Sequence, residues 1–219
     1  MSITMNSETT PKPMRKVRRL TRLEKSQQIH AALMSAAAKT VGQQGYADTM
    51  VSTITARAKV AQGTFYNYFD SKQDLLDQLL PALGKEMLSF IKDKTKDATS
   101  ALQKEEQSFR AFFQFLKLRP EFYRILYEAE LFAPTAFQNH ITTIASGYVS
   151  FLREARDKGE LNVKNEKDLE PVAYMLMGIR HYLCMKYGRD KNNVVALPDW
   201  IVETYMSMVT AGAFTPKKK

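Results

Sequence analysis

Cysteine is nearly absent: Cys184 is the only one in 219 residues, so no disulfide can form within the chain and a reducing, cytoplasmic setting is expected. Long apolar runs are missing too, and none approaches the roughly 18 residues that a membrane helix needs, so no membrane partner is expected. The opening stretch MSITMNSETTPKPMRKVRR is polar and then basic, with no apolar segment to act as a secretory signal. There is no glycine-rich loop to cradle a phosphate, no β-hairpin signal, no internal repeat and no low-complexity tract. His181 and Cys184 are three apart and share a helical face, but only His30 and His140 remain as further histidines, and a structural zinc site wants four ligands. No nucleophile motif surrounds Cys184. These gaps argue against a metal, a cofactor and an enzyme.

What is present is charge of uneven distribution. The net charge is +9, and the hydrophobic fraction of 44% is ample for a substantial core. Residues 1–72 hold eleven Lys/Arg and four Asp/Glu, a balance of +7, whereas residues 73–219 balance at +2. A polyanion-binding N-terminal end is implied, with nucleic acid the first candidate. The basic arm (Lys12, Arg15, Lys16, Arg18, Arg19, Arg22, Lys25) either enters a minor groove or is a disordered, solvated tail. A competing class is a helical adaptor that uses this arm on anionic surfaces, membrane or nucleic acid; the arm's lack of interleaved aromatics weighs against a membrane.

Helical periodicity dominates the rest. Ile29, Leu33, Ala37 and Val41 recur every four residues from Arg22 onward, and Gly42 and Gly45 end the pattern. Thr49 stands where an N-cap is wanted before a short segment with Val51, Ile54 and Ala58 on one face. A second short helix falls within VAQGTFYNYF. Ser71 and Asp74 then resemble a capping box that opens a long helix, with Pro81 interrupting and bending it. Further helices are predicted at about 100–118, 120–131, 135–158, 168–187 and 198–213, with 158–168 as a loop. The fold class is all-α with about nine helices.

The segment GYADTMVSTITARAKVAQGTFYNYFDSKQDLL, residues 45–76, carries a specific pattern. Gly45, Tyr46, Thr49, Ile54, Ala58, Val60, Gly63, Thr64, Tyr66, Tyr68, Phe69, Ser71, Lys72 and Leu75 stand at positions that make it resemble the DNA-binding domain of the TetR family of transcriptional regulators. The resemblance implies an arm at 1–19, a three-helix helix-turn-helix domain at 20–70, a helical ligand-binding and dimerisation domain at 71–214 and a basic tail at 215–219. On a recognition helix starting near Ala61, Phe65 and Phe69 share the core side, while Gln62, Tyr66 and Asn67 fall elsewhere and can face DNA. Gln62 can pair adenine bidentately, and Thr64 can meet a thymine methyl or a phosphate. Tyr66, Tyr68 and Lys72 suit phosphates, and Gly63 allows close backbone approach. The resemblance adds Ser52 and Thr53. Two departures stand out: Lys59 replaces the family's turn glycine, costing about 1 kcal/mol if that position is left-handed, and Ala61 replaces its capping serine.

The resemblance also implies a ligand pocket. The apolar helix at 173–187 and the aromatics before it nominate Phe109, Phe112, Phe113, Leu116, Tyr123, Leu126, Tyr127, His140, Tyr148, Met175, Met177 and His181 for its wall, with Arg180 adding polarity. A small, mainly apolar effector, acyl-like or aromatic, is expected, since the ionisable groups of these segments are few and mostly basic. Homodimers on palindromic double-stranded operator DNA follow from the short reach of one recognition helix. Ile201, Tyr205, Met208 and Val209 recur on one face of the last helix and are the expected dimer contact. The function expected is that of a repressor released from its operator by the effector.

Overall fold

The computed structural model describes residues 21–190, 193–194 and 197–212. Among them are nine α-helices: α1 (Arg22–Gln44), α2 (Val51–Ala58), α3 (Gln62–Phe65), α4 (Lys72–Lys94), α5 (Ala101–Leu118), α6 (Glu121–Phe132), α7 (Pro134–Asp157), α8 (Leu169–Tyr187) and α9 (Asp199–Gly212). The predicted all-α class and helix spans are met to within a few residues. One feature has no sequence signal: Arg189–Asp190 (β1) pairs antiparallel with Asn193–Val194 (β2). Lys12, Arg15, Lys16, Arg18 and Arg19 of the basic arm and the terminal lysines lie outside the described residues, whereas Arg22 and Lys25 belong to the start of α1.

Local chemistry explains where the first helices start and stop. Thr21 caps α1 by accepting from the Glu24 amide at 3.2 Å while Glu24 accepts from the Thr21 amide at 2.7 Å. The helix runs past Gly42 and stops at Gly45, whose φ of 89° suits glycine. The expected N-cap of α2 is displaced by one residue. Met50 takes that position without a side-chain bond, because the Thr49 hydroxyl donates instead to the Gly45 carbonyl at 2.6 Å. Lys59 is left-handed, at φ 58° and ψ 42°, and Ala61 begins α3 with no side-chain cap.

Ser71 caps α4 by accepting from the Asp74 amide at 3.1 Å, whereas the Asp74 carboxylate accepts from the Asp70 amide rather than that of Ser71. The helix continues through Pro81, which sits on its exposed side; a proline frees one carbonyl there, and water can serve it.

One continuous apolar core joins both ends of the chain. It runs from Leu33, Val41, Ile54, Phe65 and Phe69 through Leu75, Leu76, Leu79 and Leu80 of α4 into the bundle of α5–α9. Burial of such side chains contributes roughly 1.5–3 kcal/mol each. The first three helices approach the bundle closely at Gly42, where a Cβ would lie 2.5 Å from the Cβ of Glu121 on α6. That contact makes α6 the neighbour of both regions.

Candidate DNA-reading face and a buried cavity

The aromatics of residues 65–69 divide as their spacing predicts. Phe65 and Phe69 are buried with centroids 5.3 Å apart, and Phe69 stacks on His30 at 5.1 Å. Ser52, Gln62, Gly63, Tyr66 and Asn67 are exposed, and Thr53, Thr64, Tyr68 and Lys72 are half-buried. A Cβ at Gly63 would meet nothing within 4 Å, so packing inside the protomer does not require glycine there. Lys72 is placed differently from an outward-reaching cation: its ammonium donates to the Thr49 carbonyl at 3.0 Å and ties α4 to the start of α2. The helix carrying Gln62 is one turn long and is continued by 3.0–3.2 Å backbone bonds from Asn67 to Thr64 and from Tyr68 and Phe69 to Phe65.

The bundle encloses a cavity of about 900 Å³ between α4, α5, α6, α7 and α8. Of the nominated side chains, Phe112, Leu116, Tyr123, Leu126, Tyr127, His140, Tyr148, Met177 and His181 line it. Three do not. Phe109 and Phe113 are buried beside one another, and Phe109 stacks on Tyr205 of α9 at 4.0 Å, so both belong to the solid core. Met175 is 63% exposed and lies on the outer side of α8. Alternating exposure on a helix that is apolar nearly all round could not separate these from the true lining. Met87, Leu88 and Ile91 of α4 and Phe137, Ile141 and Ile144 of α7 complete the apolar wall. Their 3–4 spacing marks a buried face; nothing in it marks a hollow.

One wall is polar. Glu105, 1% exposed, accepts from Arg180 Nη2 at 2.5 Å, from the Tyr205 hydroxyl at 2.5 Å and from the Tyr148 hydroxyl at 3.2 Å. Arg180 also donates to Ser108 Oγ at 3.2 Å and lies over the Phe109 and Tyr148 rings. Burial alone would lower the Arg180 guanidinium, but Glu105 and the two tyrosine hydroxyls carry it above its ordinary value. Burial pushes the Tyr148 and Tyr205 phenols up, so both stay protonated and donate. His140 also faces the cavity, and burial lowers its imidazole to about 4, leaving it neutral. Its ring fills the space that a Cβ on Gly84 would need.

Helix α6 connects the cavity to the first three helices. Phe122, Tyr123, Leu126 and Tyr127 line the cavity. On its other side Glu128 accepts from the Tyr46 amide at 2.8 Å and from Arg124 Nε at 2.6 Å, while Arg124 Nη1 donates to the Gln43 carbonyl at 2.9 Å. Glu128 thus points to the end of α1, whereas Glu130 of the same helix is in the cavity wall. This clamp closes on Gly45, where a Cβ would lie 2.8 Å from Arg124 Nη2.

The expected dimer face is corrected in part. Ile201, Tyr205 and Val209 are 2–3% exposed and pack inside their own protomer, because α9 lies against α5; Met208 alone of the four faces out. The exposed apolar side chains of α8 and α9 are Tyr174, Met175, Tyr182, Met185, Trp200 and Met208. The periodicity of α9 marked a buried face without saying what buries it.

A one-turn helix offered by α2 and the left-handed turn at Lys59, on a helical body, defines a helix-turn-helix DNA-binding regulator. Residues 33–79 match the family model for bacterial regulatory proteins of the tetR family, so this segment carries a TetR-type DNA-binding domain. An uncharacterized HTH-type transcriptional regulator of Bacillus subtilis, YhgD, is 25% identical over 165 residues, covering 74% of this chain and 84% of that protein. The fatty acid metabolism regulator protein of the same organism is 25% identical over 182 residues, covering 80% and 92%. Among solved structures, the regulator FadR of Bacillus subtilis in complex with stearoyl-CoA superposes with a TM-score of 0.67 at 19% identity, covering 84% of this chain and 98% of that one.

Proposed function

We propose that this regulator is a homodimeric repressor that leaves a palindromic operator when a long-chain acyl ligand occupies its cavity. In this reading residues 20–70 form the DNA-binding head, residues 71–214 form the ligand-binding and dimerisation body, and no catalysis takes part. The observation that carries it is the cavity of about 900 Å³, apolar on most sides, with one wall built from the helix that is clamped to the end of α1. The likeness to a fatty acid regulator and to a structure holding stearoyl-CoA supports the ligand class. Gln62, Asn67 and Thr64 read bases; Ser52, Thr53, Tyr66 and Tyr68 hold phosphates. Gly63 lets the backbone approach closely. The exposed apolar residues of α8 and α9, with Met208 among them, form the dimer contact in place of Ile201, Tyr205 and Val209.

Ligand acts by favouring a body whose two heads are wrongly spaced for DNA. It shifts the equilibrium only by its differential affinity for the two states, typically about 1–3 kcal/mol, and operator DNA must weaken ligand binding by the same factor. The test begins with an operator selected by the purified protein from random duplexes. Stearoyl-CoA is then titrated calorimetrically with and without that operator. Affinity reduced roughly 5–150-fold by DNA is expected; equal affinity rules this ligand out as the inducer.

A further inference from the structure

The cavity is long and its two ends differ in charge. It follows α5 from Lys104 to Leu116, which spans about 18 Å at 1.5 Å per residue. At the corner where α4 ends and α5 begins, its wall includes Lys92 of the last turn of α4 and Lys104 of the first turn of α5. Lys92 is exposed, so this end reaches water. The Lys104 ammonium lies over the Phe151 ring at 5.2 Å, and its field also helps to lower the Glu154 carboxyl after the nearer Lys158. At the opposite end the wall is α6, where the charged member is Glu130. Between the ends, Arg180 is already neutralised by Glu105.

We propose that an amphiphile enters in one direction, with its anionic head at Lys92 and Lys104 and its hydrocarbon end against α6, so that α6 reads tail length. The proposal rests on the acyl-ligand reading above and adds orientation and mechanism to it. Both ends reach water, since Tyr127 and Glu130 on α6 are exposed as Lys92 is, so charge decides: an anionic head meets two cations at the lysine end and would face the Glu130 carboxylate at the α6 end. The reverse orientation gives up both cations and sets the head against a like charge. A tail that fills the cavity meets Tyr123, Leu126 and Tyr127, on the helix whose other side holds the Tyr46 amide through Glu128. A short tail is held by its head and stops before that helix. Binding and release from DNA are thus separate functions of one ligand: the head sets where it sits, and the length sets what it moves.

The experiment uses the full chain with four probes: octanoyl-CoA, stearoyl-CoA, stearate and octadecanol. Calorimetry reads binding, and amide exchange at Tyr46 reads the clamp without requiring any DNA. Both CoA thioesters are expected to bind, octanoyl-CoA more weakly, and only stearoyl-CoA should raise Tyr46 exchange severalfold. Lys92→Glu, at an exposed position, should weaken the anionic probes about tenfold at low salt and leave octadecanol unchanged; Lys104→Gln should act in the same direction. The better of stearate and stearoyl-CoA identifies whether the head is a carboxylate or a phosphate-bearing carrier. An octadecanol affinity equal to theirs, or charge variants without effect, overturns the orientation while leaving the acyl reading intact. Equal Tyr46 exchange with octanoyl-CoA and stearoyl-CoA overturns the reading of length. Failure of every long-chain probe to bind overturns the acyl reading, and this proposal with it.

Discussion

The head and the body treat their aromatic side chains in opposite ways. In the head, Tyr46, Phe65 and Phe69 turn inward and are almost wholly buried, and only Tyr66 stays exposed beside the polar groups of a one-turn helix. In the body, Phe112, Phe122, Tyr123 and Tyr148 border a cavity. The bonds that shape the two regions also differ in reach. Thr49 to Gly45, Ser71 to Asp74 and Lys72 to Thr49 join residues at most 23 apart, whereas Glu105 is held by Arg180 and Tyr205, which are 75 and 100 residues away. A surface that reads DNA is built from short-range chemistry. A chamber within a bundle depends on contacts that only the finished fold brings together.

The sharpest way to break this contrast is Glu105→Leu. It leaves Arg180 buried without its carboxylate, and a loss of about 3–5 kcal/mol in urea unfolding is expected. Amide protection should fall first in α5, α8 and α9. A loss under about 1 kcal/mol would mean that the long-range pair does not organise the body.

Next in size is acid sensitivity. The His140 imidazole titrates at about 4 in the folded chain, because it is buried, against about 6.5 when unfolded. Between those values the unfolded chain binds more protons, so stability falls as pH drops from about 6.5 to 4 and is flat above. The full difference is about 3 kcal/mol. His140→Gln should remove this slope in unfolding curves taken across that range; an unchanged slope would assign it to other groups.

The head is probed by Gln62→Ala. A cost of about 1–3 kcal/mol on the selected operator and a changed preference in a repeated selection are expected, with no change in melting. An unchanged preferred sequence would show that another side chain reads the bases. The smallest effect belongs to the turn. Lys59→Gly relieves a left-handed lysine and should stabilise the chain by about 1 kcal/mol in thermal or urea unfolding; destabilisation would mean that the lysine stem contributes more than its backbone costs.

These residues also explain what could be read from the sequence. The spacing of Phe65 and Phe69 determines their inward face, and the left-handed Lys59 follows from a turn that ordinarily takes glycine. Nine of the twelve nominated cavity residues are in its wall because apolar periodicity marks interior faces. Periodicity cannot say whether an interior face meets a neighbour or a hollow, so it does not separate Phe109 and Phe113 from Phe112. It cannot name the neighbour either: Ile201, Tyr205 and Val209 have the spacing of a face that another copy could bury, and it is their own protomer that covers them. Lys72 and Glu128 show the same limit, since each reaches a backbone group brought close only by the fold.

Cys184 gives the body a built-in chemical reporter. It is buried on α8 and forms part of the cavity wall, and no second thiol exists anywhere in the chain. Any thiol-directed reagent therefore marks a single address, and it can arrive only through the chamber or through transient opening of the bundle. The half-life of that one modification becomes a clock for access to the interior. It can run in crude mixtures, without purified operator, and rank occupants of the chamber by how long they delay the reagent.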